Sequence, residues 1–311
     1  MKKLILFSLI QIVCATAGFA QSPPWKANGE AIPARPDLTV HWQDSTKFPR
    51  RVWDYQFLPN DFSPEIISNV MMLCSFTEKD KVEDDINGIT FQSSDGSRKL
   101  SISFPSGSIH YEIPEPQYSP TNLAIGVPLI SQLPPMATNV LNKLHVCLSD
   151  ITGYSGTNKI EYLEPVFTEY YIGHTSITNI AYRSVLFRRV VDEMPIIGEF
   201  YGFNVGEQGK ISRLSITWPK LKQIKLHHTL SQKEVINLLR KGDAIRGPVP
   251  TRVGDIDWAS IKSLTIKMAV PSYQMDGNRL YPFLRLDVLV DTANGTVEIG
   301  MDCPIIDETK P

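Results

Sequence analysis

Residues 99–113 read KLSISFPSGSIHYEI. Leu100, Ile102 and Phe104 alternate with Lys99, Ser101 and Ser103. After Ser106-Gly107, Ile109, Tyr111 and Ile113 alternate with His110 and Glu112. Period-two alternation on both sides of a short glycine turn predicts an antiparallel hairpin with one dry and one wet face. A dry face needs a cover, and a candidate lies just upstream. Ser63 is placed to cap a helix, Pro64 suits its first position, and Ile66, Ile67, Val70, Met71 and Cys74 recur at helical spacing. Residues 59–115 thus read as one helix followed by a meander.

The same order recurs twice downstream. Residues 116–225 open on a proline-rich connector holding Pro116, Pro120, Pro128 and Pro134. A helix near Pro135 follows, with Ala137, Val140, Leu141, Leu144 and Leu148 as its apolar stripe. A β region then runs from about Ile160 to Trp218. In residues 226–311, Ser231 and Glu234 form a capping box, Val235, Ile236, Leu238 and Leu239 supply an apolar face, and Gly242 suits a left-handed cap. Three strands follow, with Leu264, Ile266, Met268 and Val270 facing inward on the first. Leu284, Leu286, Val288 and Val290 do so on the second, and Val297, Ile299 and Met301 on the third. The expected fold class is α+β, with repeated units of one helix packed on an antiparallel β-meander.

Residues 1–20 are expected to lie outside that fold. Lys2 and Lys3 precede an apolar run from Leu4 to Val13, and Gly18-Phe19-Ala20 fits a signal-peptidase site before Gln21. This pattern predicts export to the periplasm or beyond, with no transmembrane segment once the signal is removed. Residues 21–58 read as an extended leader rich in proline and tryptophan. The 311 residues carry 31 Lys and Arg against 33 Asp and Glu. Loss of Lys2 and Lys3 leaves 29 basic residues, so nothing marks a nucleic-acid partner. Cys74, Cys147 and Cys303 would remain, an odd number. Cys74 and Cys147 fall among apolar residues of expected helices, so buried free thiols are favoured over a disulfide, with the pairing left open.

The segment Arg188-Arg189-Val190-Val191-Asp192-Glu193-Met194-Pro195-Ile196-Ile197-Gly198, followed by Gly209-Lys210-Ile211, resembles the core of PepSY and fungalysin/thermolysin-propeptide modules. Trp218-Pro219 and Tyr281-Pro282 resemble larger secreted bacterial proteins built from such modules, and YycI-type regulatory proteins share a similar plan. The matching residues span roughly 135–220. The resemblance implies a small binding or inhibitory module, with Asp192, Pro195, Gly198, Gly209 and Trp218 as motif residues. Glu193 departs from it, standing where the family has glycine, so the turn is expected to do without a positive φ.

Catalytic signatures such as H-E-x-x-H, G-x-S-x-G and S-x-x-K are absent from the sequence. Residues 206–210 superficially resemble a phosphate loop. Asn204 replaces the loop's first glycine, and Ile211 the residue that would hold magnesium. His227-His228 reads as a polar connector, and Asp255 with Asp257 as a solvated turn. No cofactor or metal is expected. Arg183 and Arg189 share one strand face by even spacing, with Arg188 on the other. With Tyr182, Arg183 and Arg189 are the candidate binding residues for a carboxylate or an acidic partner. The expected function is that of an exported, non-enzymatic binding protein with a protein or peptide partner in the envelope, acting as a peptidase inhibitor or signalling accessory. The alternatives are a secreted hydrolase whose scattered His174, His228, Asp255 and Asp257 meet on folding, and a structural envelope component.

Overall fold

The hairpin expected over residues 99–113 forms, with Leu100 opposite Tyr111 and Ile102 opposite Ile109. The computed structural model describes residues 30–114, 122–155, 158–164, 167–172, 175–197, 201–246, 256–292 and 295–307. The expected signal segment, Gly198, His174 and Asp255 lie outside the described residues. The first strands are β1 (Glu30–Ala31), β2 (Thr39–Trp42), β3 (Arg51–Leu58), β4 (Lys81–Asp85), β5 (Gly88–Gln92), β6 (Lys99–Ser103) and β7 (Ser108–Glu112). Next come β8 (Ile151–Thr152), β9 (Glu161–Leu163), β10 (Phe167–Ile172), β11 (Thr175–Ile180), β12 (Arg183–Val191), β13 (Met194–Ile197), β14 (Tyr201–Val205) and β15 (Ile211–Thr217). The last are β16 (Lys220–His228), β17 (Ile245–Arg246), β18 (Ser263–Asp276), β19 (Arg279–Thr292) and β20 (Gly295–Pro304). The helices are α1 (Pro64–Leu73), α2 (Leu133–Lys143) and α3 (Gln232–Lys241).

Strand pairing overturns the expected architecture. Among the described residues, eighteen of the strands join one hydrogen-bonded network, and only the β10–β11 hairpin stands apart. One stretch of the network runs β4-β5-β6-β7-β15-β14-β12-β9, antiparallel throughout. The other runs β1-β17-β20-β19-β18. Both β2 and β13 lie parallel to β18, at its start and near its end, so the sheet is mixed. Over the described residues the chain is therefore a large mixed sheet with three α-helices, not a set of helix-on-meander units. The physical reason is visible at β7. Its partner is β15, with Tyr111 opposite Leu214 and Ile109 opposite Ile216. Alternation shows that a strand has a dry face, but it carries no information about which distant edge completes the sheet.

The helices follow from that pairing. Val70, Met71 and Cys74 of the α1 end and Ala137, Val140 and Leu141 of α2 lie in one core with Phe91, Leu100, Phe187, Phe203 and Leu214. Two helices thus cover one shared sheet. Val235 and Leu239 of α3 pack in a second core with Leu264, Leu284, Leu286 and Val288. The expected caps of α3 form: Glu234 N–H donates to Ser231 Oγ at 3.3 Å, Ser231 N–H donates to Glu234 Oε2 at 2.7 Å, and Gly242 takes φ +79°. Leu148 does not belong to the α2 stripe; it lies beyond the helix and is 51% exposed.

Three further expectations are corrected. The second half of the expected leader supplies β2 and the eight-residue β3, which pairs with β16. Cys74 and Cys303 are buried free thiols, while Cys147 is free and exposed because α2 ends before it. On β18, Leu264 and Ile266 are buried as expected, but a bulge between Ile266 and Met268 reverses the alternation. Ala269 becomes buried and Met268 turns outward.

Candidate functional site

The β12–β13 hairpin links the two stretches of sheet. Val191 pairs with Met194 across a two-residue turn in which Asp192 has φ +49° and Glu193 φ +64°. Positive φ at both central residues is the turn that matches the twist of a hairpin. The expectation that Glu193 would avoid positive φ is thus corrected; the strand geometry imposes it. The turn sets Asp192 Oδ2 against two tyrosines from distant strands. Tyr55 of β3 donates a very short hydrogen bond to it, and the Tyr273 hydroxyl of β18 lies 3.4 Å away while also 2.9 Å from Trp53 O. Burial, with the Asp192 carboxylate close by, pushes the Tyr55 phenol up to about 12.

Beside this hairpin a cleft of about 510 Å³ opens between the two stretches of sheet. Its apolar wall is Val190, Pro195 and Ile197 on one side and Met268 and Val270 on the other. The β18 bulge is what turns Met268 into the cleft. Arg188 of β12 enters from the wet face, its guanidinium 4.0 Å from the centre of the Tyr154 ring. Its Nη1 donates a long hydrogen bond to Tyr154 O at 3.5 Å. Burial lowers the affinity of Arg188 for its proton, and Arg285 adds like-charge repulsion. Arg285 lies on β19 and is held by a bidentate pair to Asp302, with both contacts at 2.8 Å. Lys159 stands exposed at the same cleft. Glu193 and Asp287 also line it, and burial followed by Glu298 raises the Asp287 carboxyl above its ordinary range.

The structure places the expected binding arginines elsewhere. Their even spacing holds, but the face they share is the dry one. Arg183 is 5% exposed, with Nη1 on Pro128 O and Nη2 on Glu164 Oε1 at 3.1 Å. Arg189 donates to Pro219 O at 2.9 Å and sits 4.6 Å from the Trp218 ring centre. Both are occupied in holding connecting segments to the sheet. Tyr182 precedes β12 and is half-buried. Gly209 ends a turn at φ +73°, and Trp218 packs edge-on to Tyr201 at 6.1 Å. Of the motif residues, Pro195 lines the cleft and Asp192 anchors its turn.

Sequence reading gave no sign of Arg285 or Lys159, whereas Arg188 stood out as part of the arginine cluster, opposite the Arg183–Arg189 face, and Tyr154 as one of the tyrosines near it. Nor did it foresee the pairing of His227 with Asp54, whose Nε2 and Oδ2 lie 3.0 Å apart in a buried pair on β16 and β3. The expected polar connector is in fact strand β16. Of the scattered hydrolase candidates, His228 ends β16 and Asp257 accepts from Ala259 N–H at 3.1 Å in a turn. Among the described residues no three His, Cys, Asp or Glu side chains converge as a metal site. No helix there is long and apolar enough to cross a membrane. Lys220, Lys222 and Lys225 lie on β16, which pairs with β3 and carries a bulge between Gln223 and Lys225. Lysines and a bulge are features that keep a sheet edge from taking on further strands.

No protein-family model matches the chain, and no curated protein matches it. The likeness of residues 188–211 to propeptide modules rests on those residues alone.

Proposed function

We propose that the protein is an exported binding protein whose inter-sheet cleft captures the terminal carboxylate of a peptide or protein partner. One observation carries this reading. Arg188 is partly buried, faces a second arginine and makes no ion pair among the described residues, the Glu161 carboxylate acting on it from beyond ion-pair distance. A desolvated guanidinium beside a like charge gains most from an incoming anion, and its planar fork suits a carboxylate. The flat Tyr154 ring fixes that fork, and the Val190, Pro195, Met268 and Val270 wall favours an apolar last side chain. Export rests on the Leu4–Val13 run and the Gly18-Phe19-Ala20 site.

The test is capture of a random hexapeptide pool, in free-acid and C-terminally amidated form, by wild type and Arg188→Gln. Loss of a charge-assisted hydrogen bond is worth about 1.5–3 kcal/mol, roughly a 10- to 100-fold loss of affinity. Wild type is expected to enrich free acids with apolar ends and the variant to lose that enrichment. Equal capture of acid and amide pools, or no effect of Arg188→Gln, overturns the proposal.

A further inference from the structure

A groove of about 540 Å³ lies on the opposite side of the first stretch of sheet from solvent-facing His110, between α1 and α2. Met72 of α1 and Met136 of α2 form its sides, and Tyr111, Phe203 and Ile211 lie on the sheet strands beneath. Met72 is 58% exposed although it stands at an apolar surface. Three cations line this groove: Arg98, Lys143 and Lys210. None of its lining residues is acidic, in a chain whose acidic residues outnumber its basic ones. Among the described residues none of the three makes an ion pair. Arg98 donates long hydrogen bonds to the last carbonyls of the α1 end, Cys74 O at 3.4 Å and Ser75 O at 3.3 Å, and its guanidinium lies 5.1 Å from the Phe76 ring centre.

We propose that this groove is a separate binding site for a single-chain amphiphile with an anionic head group. Four features select that ligand. The cations supply charge complementarity for one anionic head, and the methionines are adaptable walls for an alkyl chain. The volume is that of a small-molecule site. The strands beneath are interior ones: β7 is bonded to β6 and β15, and β14 to β12 and β15. An extended peptide would find no open main-chain edge there for its own amides, whereas an alkyl chain has no such groups to satisfy.

The site is tested by calorimetric titration of the full mature chain with decanoate, acetate and decyl maltoside, each below its micellar concentration. Decanoate is expected to bind once per chain, with acetate and the uncharged decyl glycoside at least 10-fold weaker. Lys143→Gln combined with Lys210→Gln is expected to weaken decanoate at least 10-fold. Asn139→Trp, at an exposed α2 position on the groove, is expected to abolish binding while circular dichroism and thermal unfolding stay as in wild type. Arg188→Gln leaves decanoate binding unchanged, which separates this site from the inter-sheet cleft. Equal binding of the uncharged decyl chain, insensitivity to the lysine changes, or no saturable binding overturns the proposal. So does binding of an acidic amphipathic peptide in place of decanoate, which would assign the groove to a protein partner.

Discussion

Glu193 occupies a backbone conformation that costs an L-residue about 1–2 kcal/mol, with φ at +64°. Its neighbour Asp192, at φ +49°, tolerates that region better and gains its contacts to Tyr55 and Tyr273 there. Glu193 has no comparable recompense, and its side chain lines the cleft. Glu193→Gly is therefore expected to raise stability by about 1 kcal/mol, the relieved strain less the added freedom of glycine in the unfolded chain. Urea unfolding checks this, and an unchanged or lowered midpoint would contradict the strain argument. A turn was expected here from the resemblance, shaped by Pro195 and Gly198, whereas it falls at Asp192 and Glu193. Its backbone hand was not legible, because strand twist sets it rather than residue preference. The setting of Arg188 was equally hidden: spacing separates it from Arg183 and Arg189 but does not say which face is wet.

Helix α3 shows what a short stretch of sequence can specify alone. Its first and last turns are closed by contacts three to five residues apart, so Ser231, Glu234 and Gly242 could be read without tertiary information. Ser231→Ala is expected to cost about 1 kcal/mol in chemical denaturation, the usual value of a lost N-cap. Gly242→Ala is expected to cost more, about 2 kcal/mol. An added Cβ there meets Ala34 N and Ile32 O, each at 2.8 Å, on top of the unfavourable φ of +79°. Equal losses for the two variants would show that the close approach of residues 32–34 carries no energy. Strand β18 is the opposite case. Its composition gave a continuous alternation, but one inserted residue between Ile266 and Met268 reverses the faces and so builds one wall of the cleft. A bulge answers to the partner strand's register, which local sequence does not contain.

At the scale of the molecule, elements far apart in sequence meet at one point. Tyr55 on β3, Tyr273 on β18 and the Asp192 turn from β12 converge, with the two tyrosine rings 5.7 Å apart at 76°. Such pairing across long separations is why the individual strands were legible and their assembly was not. The convergence also predicts how the protein responds to alkali. Tyr55 is 5% exposed and its phenol is pushed up to about 12, and burial with the nearby Asp192 carboxylate pushes Tyr273 higher still. In the unfolded chain both ionise near 10. Below pH 10 both states hold these protons, and the contribution to stability is complete and flat. Between pH 10 and 12 the unfolded chain sheds protons that the native protein keeps, so stability falls as pH rises. Burial raises Tyr111, Tyr154 and Tyr162 as well, so the fall is steeper than one group would give. Tyr55→Phe isolates one proton of it. The variant is expected to be less stable than wild type at pH 8, having lost the Asp192 bond. Above pH 10 its stability is expected to decline more gently, by about 1.4 kcal/mol per pH unit for the proton removed. Urea unfolding of both proteins from pH 8 to 11.5 measures the two slopes, and identical slopes would place the alkaline sensitivity elsewhere than at this junction.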